Sequence, residues 1–211
     1  MKYESYRYIF PPRPKNAIPD HEISNCESMW PMIAQPKLNG SNCVIFTDGE
    51  RQIVMNRHNQ RLTNFRLTES EIKEIYRGEG WMVINGEYMN KSKMDENRQV
   101  FNHKFVIFDI LTFNGDYLVG RSFEDRVKLL DELYGQVESE KDYLYKISEN
   151  IYRVKSYTSD FKRLYDRLIT IAMVEGLVMK QKKAKLELGT TENNNTKSQV
   201  KARKPTRNYR Y

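Results

Sequence analysis

The sequence has few of the residues that build metal centres or disulfide frameworks. Among its 211 residues only Cys26 and Cys43 are cysteines, and three are histidines. Neither residue type shows the spacing of zinc ligands, so we expect no structural zinc. So few cysteines also exclude a disulfide-stapled secreted domain and fit a reducing compartment.

Long apolar runs are missing as well. No stretch approaches the roughly 18 apolar residues that a membrane-spanning helix needs, and residues 1–10 lack the apolar segment of a signal peptide. Hydrophobic residues nevertheless make up 39% of the chain, which is enough for a folded core. We therefore predict a folded cytoplasmic protein without membrane contact.

Acidic residues are outnumbered by basic ones. The chain has 35 Lys and Arg against 28 Asp and Glu, a net charge of +7 and a pI of about 9.2. This balance favours a polyanionic partner such as nucleic acid, although a generic basic surface would give the same charge. The cations concentrate in two C-terminal clusters, first Lys180, Lys182, Lys183 and Lys185, and then Lys201, Arg203, Lys204, Arg207 and Arg210.

Residue patterns predict an α+β fold with mostly antiparallel sheets flanked by helices, because strands alternate irregularly with helices and hairpins. Residues 11–20 are proline-rich and predict an extended lead-in, and residues 192–198 predict a mobile polar loop. Asp48-Gly49 predicts a two-residue turn, and Gly86 predicts a close approach of another group. Strands are predicted at residues 44–47, 51–55, 82–89, 104–111, 176–180 and 199–203.

Helix starts have their own signals. Thr68 and Glu71 have the spacing of a capping box, which predicts a short helix that runs to about Arg77. Two further helices are predicted to begin at Ser122 and Thr158 because hydroxyl side chains precede helical apolar patterns there.

Five short motifs follow one another along the chain. Covalent transfer of a nucleotide from ATP needs a deprotonated nucleophile, cations on the phosphates, carboxylates for a divalent metal and an aromatic face for the base. A single lysine tetrad is a weak signal, whereas the ordered series is a strong one. The motifs are Lys37-Leu38-Asn39-Gly40, Gly86-Glu87, Phe108-Asp109, the six residues from Glu175 to Lys180, and Val200-Lys201-Ala202-Arg203.

This series resembles the covalent nucleotidyltransferase superfamily of DNA ligases, RNA ligases and mRNA capping enzymes. The resemblance covers residues 30–205 and implies the nucleotidyltransferase (adenylation) domain of ATP-dependent polynucleotide ligases. Residues 1–29 are expected to form a lead-in packed on this domain, and residues 206–211 a basic tail. No OB-fold domain is expected, because the chain ends shortly after Lys201.

The resemblance also implies roles for individual residues. Lys37 would attack the α-phosphate of ATP and carry AMP covalently. Lys180 and Lys201 would crowd this amine with positive charge, favour its neutral form and stabilise the α-phosphate in the transition state. Glu87, near the ribose, and Glu175 would hold Mg²⁺ or Mn²⁺.

The remaining positions would bind the rest of the substrates. Phe108 would stack on the purine, and Arg57 would contact the nucleotide or a 5′-phosphate. Gln35 and Asn42 complete the nucleotide-binding set, and Asp109 is either a metal-shell residue or a structural one. The charge of the C-terminal segment, and not the resemblance, predicts nucleic-acid contacts by Arg203, Lys204, Arg207 and Arg210, with Tyr209 and Tyr211 available for stacking; a frayed basic terminus is the alternative.

Different motifs favour different nucleic-acid substrates. Residues 37–42 resemble RNA ligases that seal nicks in duplexes, whereas residues 84–87 and 121–126 resemble DNA ligases. We predict a monomeric ATP-dependent ligase that joins a 5′-phosphate to a 3′-OH in nicked duplex, with a slight lean to RNA-containing nicks. An mRNA-capping guanylyltransferase and a catalytically weak nucleic-acid-binding module of the same fold remain the alternatives.

Overall fold

The structure, a computed structural model, describes residues 6–91, 93–191 and 193–205. These residues form eleven β-strands, four α-helices and a short 3₁₀ helix at Asp20–Glu22. The helices are α1 Ile23–Met29, α2 Glu69–Lys73, α3 Phe123–Tyr134 and α4 Phe161–Leu168. The strands are β1 Arg13–Ile18, β2 Met32–Leu38, β3 Ser41–Thr47, β4 Gln52–Asn56, β5 Met82–Met89, β6 Lys104–Phe113, β7 Asp116–Tyr117, β8 Leu144–Lys146, β9 Ile151–Val154, β10 Val174–Gln181 and β11 Asn195–Arg203.

The strands build two sheets. The smaller sheet has the order β1-β11-β10-β2, and the larger has the order β4-β3-β5-β6-β9-β8, with β7 paired to β6. Neighbouring strands run antiparallel except for β1 with β11 and β6 with β9. This arrangement confirms the predicted α+β class with mostly antiparallel sheets.

The hairpin of β3 and β4 forms where it was predicted, but its turn is longer. Thr47 pairs with Gln52, so the connection has four residues and not the expected two. The Asp48 carboxylate accepts a hydrogen bond from the Arg51 backbone N–H at 2.8 Å, and Gly49 has a φ of +88°. The Asp48 side chain therefore closes a wider turn than Asp-Gly usually makes.

The helices begin close to their predicted caps. Thr68 and Glu71 form the predicted capping box of α2, although the helix ends at Lys73, one turn early. Ser122 caps α3 as predicted. α4 begins after Asp160 and not at residue 158, because Asp160 has a left-handed conformation that cannot belong to the helix. Among the described residues no helix has the length and apolar character to cross a bilayer.

β11 corrects the prediction of a mobile loop at residues 192–198. The strand begins at Asn195 because β1 provides a parallel partner, which pairs Arg13 with Asn195 and Pro14 with Thr196. Glu192 lies outside the described residues. The lead-in is extended as predicted, but it is an edge strand of the smaller sheet. Local sequence does not indicate this pairing, since the two strands lie near opposite ends of the chain.

Two large apolar clusters support the sheets, beside a small one that packs Ile33 of β2 against α3. One packs the larger sheet against α3 through residues such as Ile84 and Leu130. The other packs the smaller sheet against α4 and includes Leu177 of β10, Leu168 of α4 and Val106 of β6. This second cluster joins the two sheets, so burial of its side chains fixes how their strands face each other.

Gly86 lies where β5 approaches β6 closely. A Cβ atom at this position would lie 2.6 Å from the Phe105 ring and from the Val106 carbonyl oxygen. The pairing of the two strands shifts register between Asn85 and Gly86. The predicted close approach is therefore confirmed, and it sets the direction of the next residue, Glu87.

Candidate active site

A cavity of about 270 Å³ is lined by strands of both sheets. The smaller sheet provides lysine and glutamine side chains from β2, β10 and β11, and the larger sheet provides an amide, a carboxylate and an aromatic ring from β3, β5 and β6. The structure brings together around this cavity all eight residues predicted to bind the nucleotide, namely Gln35, Lys37, Asn42, Arg57, Glu87, Phe108, Lys180 and Lys201.

Lys37 lies near the end of β2 and faces the cavity. Its Nζ donates a hydrogen bond to the Glu175 carboxylate on β10, and Arg203 Nε lies 3.8 Å from the same oxygen. The side chains of Lys37 and Glu175 keep 21% and 28% of their exposure, so a ligand can reach both groups. The arrangement places an amine at the cavity with a carboxylate that can be exchanged for another partner.

Gly176 allows this contact because two backbones meet there. Its φ is +148°, and a Cβ atom would lie 1.9 Å from the Ala202 carbonyl oxygen on β11. The pairing of β10 with β2 also shifts register at this point, between Val174 and Gly176. Any other residue would push β11 away and would separate Arg203 from Glu175.

Gly40, the glycine of the lysine tetrad, has a similar steric requirement. A Cβ atom there would lie 2.4 Å from the Tyr88 carbonyl oxygen on β5. The close approach lets the Gly40 backbone N–H donate a hydrogen bond to Glu87 Oε1 at 3.0 Å. The tetrad therefore links the lysine strand to the carboxylate of the larger sheet.

Glu87 is a carboxylate whose surroundings shift its pKa strongly. Burial raises its pKa to about 7, although the charge of Lys37 and the Gly40 N–H favour the ionised form. The charge of Glu175 raises the pKa further, so the two carboxylates lie close enough to repel each other. Such a pair favours a cation between its members.

The donors available for a metal ion are therefore Glu87 and Glu175. Among residues 6–91, 93–191 and 193–205, no three His, Cys, Asp or Glu side chains form a metal site by themselves. Mg²⁺ commonly takes one or two carboxylates and completes its shell with substrate phosphates and water. Two neighbouring carboxylates thus fit Mg²⁺ or Mn²⁺ that binds together with a nucleotide.

Lys180 lies deep in the wall of the cavity. It is only 5% exposed, and its Nζ donates a hydrogen bond to Gln35 Oε1 at 2.9 Å. The ammonium group lies 5.1 Å from the centre of the Phe108 ring and 4.3 Å from that of Phe123. Burial lowers its pKa to about 8, and the neighbouring Asp109 opposes this shift.

Phe108 and Gln35 form one unit with Lys180. The Phe108 ring borders the cavity and is partly exposed, so it can stack on a flat ligand. Gln35 Nε2 donates to the Phe108 carbonyl oxygen at 3.3 Å and to Ser156 Oγ at 3.1 Å. Val178 of β10 lines the same cavity. These groups offer apolar surface with a few fixed polar atoms.

Lys201, and not Lys180, is the cation whose charge interacts with Lys37. Burial lowers the pKa of Lys201, and the charges of Arg203 and Lys37 lower it further. Lys180 pairs with Ile33, four residues along β2 from Lys37, and its nearest charges are Asp109 and Arg126. The expected crowding of Lys37 therefore comes from the β11 side of the site.

Asp109 has a structural partner. Its carboxylate accepts two hydrogen bonds from the Arg126 guanidinium at 2.8 and 3.0 Å, and these side chains are 2% and 3% exposed. Burial would raise the Asp109 pKa, but Arg126 holds it below its usual value. The open choice between a metal-shell and a structural residue is thus resolved in favour of an ion pair that joins β6 to α3.

The predicted nucleic-acid residues lie in different environments. Arg203 borders the cavity. Lys204 Nζ donates to the backbone oxygens of Ile169 and Ile171 after α4, at 3.5 and 3.0 Å, so its ammonium group already has a structural role. A nucleic-acid contact by Lys204 stays a prediction. Arg207 and Arg210 of the basic tail lie outside the described residues, as do Tyr209 and Tyr211.

Residues of the lead-in also line the cavity, which the sequence did not indicate. Arg13 borders it together with the prolines at positions 11, 12 and 14. The proline content correctly suggested an extended segment, but it carries no information about which strand that segment joins. A search for cations within or between the five motifs would not have found Arg13 either, because Arg13 precedes all of them in the sequence.

Comparisons with known proteins agree with this fold. The family model described as ATP dependent DNA ligase domain matches residues 89–198. The structure is similar to mycobacterial DNA ligase D complexed with ATP and MES, with a TM-score of 0.61 at 14% identity, covering 94% of this chain and 62% of that one. No curated protein sequence matches.

Two further solved structures show the same fold. The ATP-dependent DNA ligase of bacteriophage T7, in complex with ATP, has a TM-score of 0.55 at 13% identity, covering 92% of this chain and 68% of that one. An archaeal ATP-dependent RNA ligase has a TM-score of 0.50 at 16% identity, covering 91% and 48%. The present chain thus spans about three fifths of ligase D and about half of the RNA ligase.

Proposed function

The chain belongs to the family of ATP-dependent DNA ligase domains, and we propose that it is an ATP-dependent polynucleotide ligase that carries AMP on Lys37. One observation carries this proposal: the amine, the Glu87 carboxylate, the cations and the aromatic ring that covalent nucleotide transfer needs all border one cavity, and Glu175 contacts the amine. The residues come from both sheets and from separate parts of the sequence, so coincidence is a poor explanation.

In the first step the Lys37 amine attacks the α-phosphorus of ATP, and pyrophosphate leaves. Lys37 must first leave Glu175, and its partial exposure lets it do so. Lys201 and Arg203 stabilise the charge on the α-phosphate, because both lie on β11 beside Lys37. Phe108 stacks on the adenine. Gln35, which bonds to the Phe108 carbonyl oxygen and to Lys180, provides polar atoms beside the base.

Glu87 and Glu175 would hold Mg²⁺ or Mn²⁺ in this step. A bound divalent ion supplies positive charge that neutralises the phosphates during transfer. The raised pKa of Glu87 supports this assignment, since a partly buried carboxylate beside a second one is stabilised in its charged form by a cation.

The second and third steps act on nucleic acid. AMP passes from Lys37 to a 5′-phosphate, and a 3′-OH then attacks that phosphate and releases AMP. Asn42 supports the lean to RNA-containing nicks, because it completes the motif of residues 37–42 and borders the cavity. The match to a DNA ligase model supports DNA nicks. Monomeric state and cytoplasmic location also stay predictions.

Intact-mass spectrometry tests the proposal. After incubation with ATP and Mg²⁺, the protein should gain the mass of AMP in an acid-labile bond, and Lys37→Ala should gain nothing. A wild-type protein without the adduct, or an undiminished adduct on Lys37→Ala, contradicts the proposal. Equal labelling by GTP would favour a capping-type guanylyltransferase. A sealing assay on matched DNA, RNA and hybrid nicks then identifies the nucleic acid.

A further inference from the structure

Two cations at the cavity, Arg13 and Arg57, belong to none of the five motifs, and the sequence suggested a role only for Arg57. Arg13, on the lead-in strand β1, borders the cavity together with Lys37, Arg57, Lys201 and Arg203. After burial, the charges that lower the pKa of Lys201 are those of Arg203, Lys37, Arg13 and Arg57, in that order. Arg13 is therefore close enough to act electrostatically on the β11 lysine.

Several hydrogen bonds fix the lead-in at this position. The Arg13 backbone N–H donates to the Asn194 carbonyl oxygen at 2.9 Å, and its guanidinium donates to Asn193 Oδ1 at 3.3 Å. Phe10 donates through its N–H to the Gly189 carbonyl oxygen at 3.1 Å and accepts from Asn194 Nδ2 at 2.7 Å. The backbone around Arg13 is thus placed before any ligand binds, which lowers the entropy cost of binding.

Among the described residues that line the cavity, cations outnumber carboxylates. The cations are Arg13, Lys37, Arg57, Lys180, Lys201 and Arg203, and the carboxylates are Glu87 and Asp109. Because Asp109 also pairs with Arg126, positive charge exceeds negative charge around the cavity. AMP carries a single phosphate, whereas ATP brings two more that need cations.

We propose that Arg13 binds the β- and γ-phosphates of ATP and holds the pyrophosphate as it leaves, a role that rests on the proposed adenylation of Lys37. In that step a bond forms between Lys37 Nζ and the α-phosphorus. The bond from the α-phosphorus to the bridging oxygen breaks, and pyrophosphate leaves with that electron pair. The proton of Lys37 passes to water. A guanidinium suits this role because its N–H groups match two phosphate oxygens at once.

Arg13→Gln removes the charge, and Lys15→Gln is the matched control, because Lys15 is an exposed cation on the same strand and does not line the cavity. We expect Arg13→Gln to raise the ATP concentration for half-maximal adduct formation about tenfold or more. It should raise by the same factor the pyrophosphate concentration for half-maximal removal of AMP from Lys37. Sealing of a pre-adenylated nick, which needs no ATP, should stay within about twofold of wild type.

Other outcomes separate this role from its alternatives. The proposal is overturned if Arg13→Gln depends on ATP and pyrophosphate concentration as Lys15→Gln does. It is also overturned if Arg13→Gln slows only the sealing of pre-adenylated nicks, because Arg13 would then bind the nucleic acid. If Arg13→Gln does not fold, Arg13→Lys keeps a charge and should show a smaller shift in both concentrations. A wild-type protein that forms no adduct overturns instead the proposed function.

Discussion

Two ion pairs, each with one residue at the cavity, differ mainly in their access to water. Asp109 and Arg126 are 2% and 3% exposed and share two hydrogen bonds of good length. Lys37 and Glu175 keep 21% and 28% of their exposure and meet through one contact. The first pair lies within the protein and the second is partly exposed, although each includes at least one residue of a sequence motif.

This difference determines what each pair can do. A charge in the interior cannot lose its partner without a large cost, because no water replaces the lost contact. A partly exposed pair gains little stability from its contact and can exchange it for a ligand. Asp109 and Arg126 are therefore suited to hold β6 against α3, and Lys37 and Glu175 are suited to chemistry.

Breaking the buried pair should have the largest effect. Asp109→Ala leaves the Arg126 guanidinium buried without its carboxylate, so we expect the free energy of unfolding to fall by about 3–5 kcal/mol. Chemical denaturation measures this loss. The double variant Asp109→Leu with Arg126→Met should lose less than either single variant, since it leaves no unpaired charge. If Asp109→Ala is as stable as wild type, the ion pair does not stabilise the fold.

The same comparison shows how far the sequence can predict the structure. Phe108-Asp109 and Lys37 were identified because motif spacing survives in the linear sequence, and the Thr68 capping box was identified because its bonds are local. The partner of Asp109 was missed because Arg126 lies on another element. β11 was predicted too short for the same reason, because its first residues pair with a strand near the N-terminus.

Breaking the exposed pair should affect the reaction and leave the fold intact. Glu175→Gln keeps the shape but loses the charge for metal and for Lys37, so adduct formation should slow on the order of 10²-fold. The free energy of unfolding should change by less than about 1 kcal/mol. Single-turnover labelling and denaturation measure the two quantities. Glu132→Gln, an exposed carboxylate on α3, is the control; equal rates for both variants would remove Glu175 from the mechanism.

Lys180 sharpens the comparison because it lies beside the buried pair. Its pKa falls from 10.5 to about 8 on folding through burial, with Asp109 and Arg126 acting in opposite directions. Between these values the unfolded chain binds a proton that the folded chain lacks, so the contribution of Lys180 to stability rises with pH. The unfolding free energy of wild type minus that of Lys180→Met should therefore increase from pH 8 to pH 10. Parallel curves would contradict the lowered pKa.

The smallest effects concern Arg203 and Lys204, two adjacent cations with different surroundings. Arg203 lies 3.8 Å from the partly exposed carboxylate of Glu175, whereas Lys204 donates to two backbone oxygens after α4. Lys204→Gln should lower the free energy of unfolding by about 1 kcal/mol and leave adduct formation unchanged. Arg203→Gln should leave the free energy of unfolding nearly unchanged and should slow adduct formation.

Binding of a nicked duplex at several salt concentrations decides whether Lys204 also contacts nucleic acid. A phosphate contact contributes about 0.9 to the slope of log affinity against log salt, so its loss would flatten the slope by that amount. We expect Lys204→Gln to keep the wild-type slope, because its ammonium group is already bonded to the end of α4. A flattened slope with unchanged stability would move Lys204 from the structural group to the substrate surface, and the contrast with Arg203 would disappear.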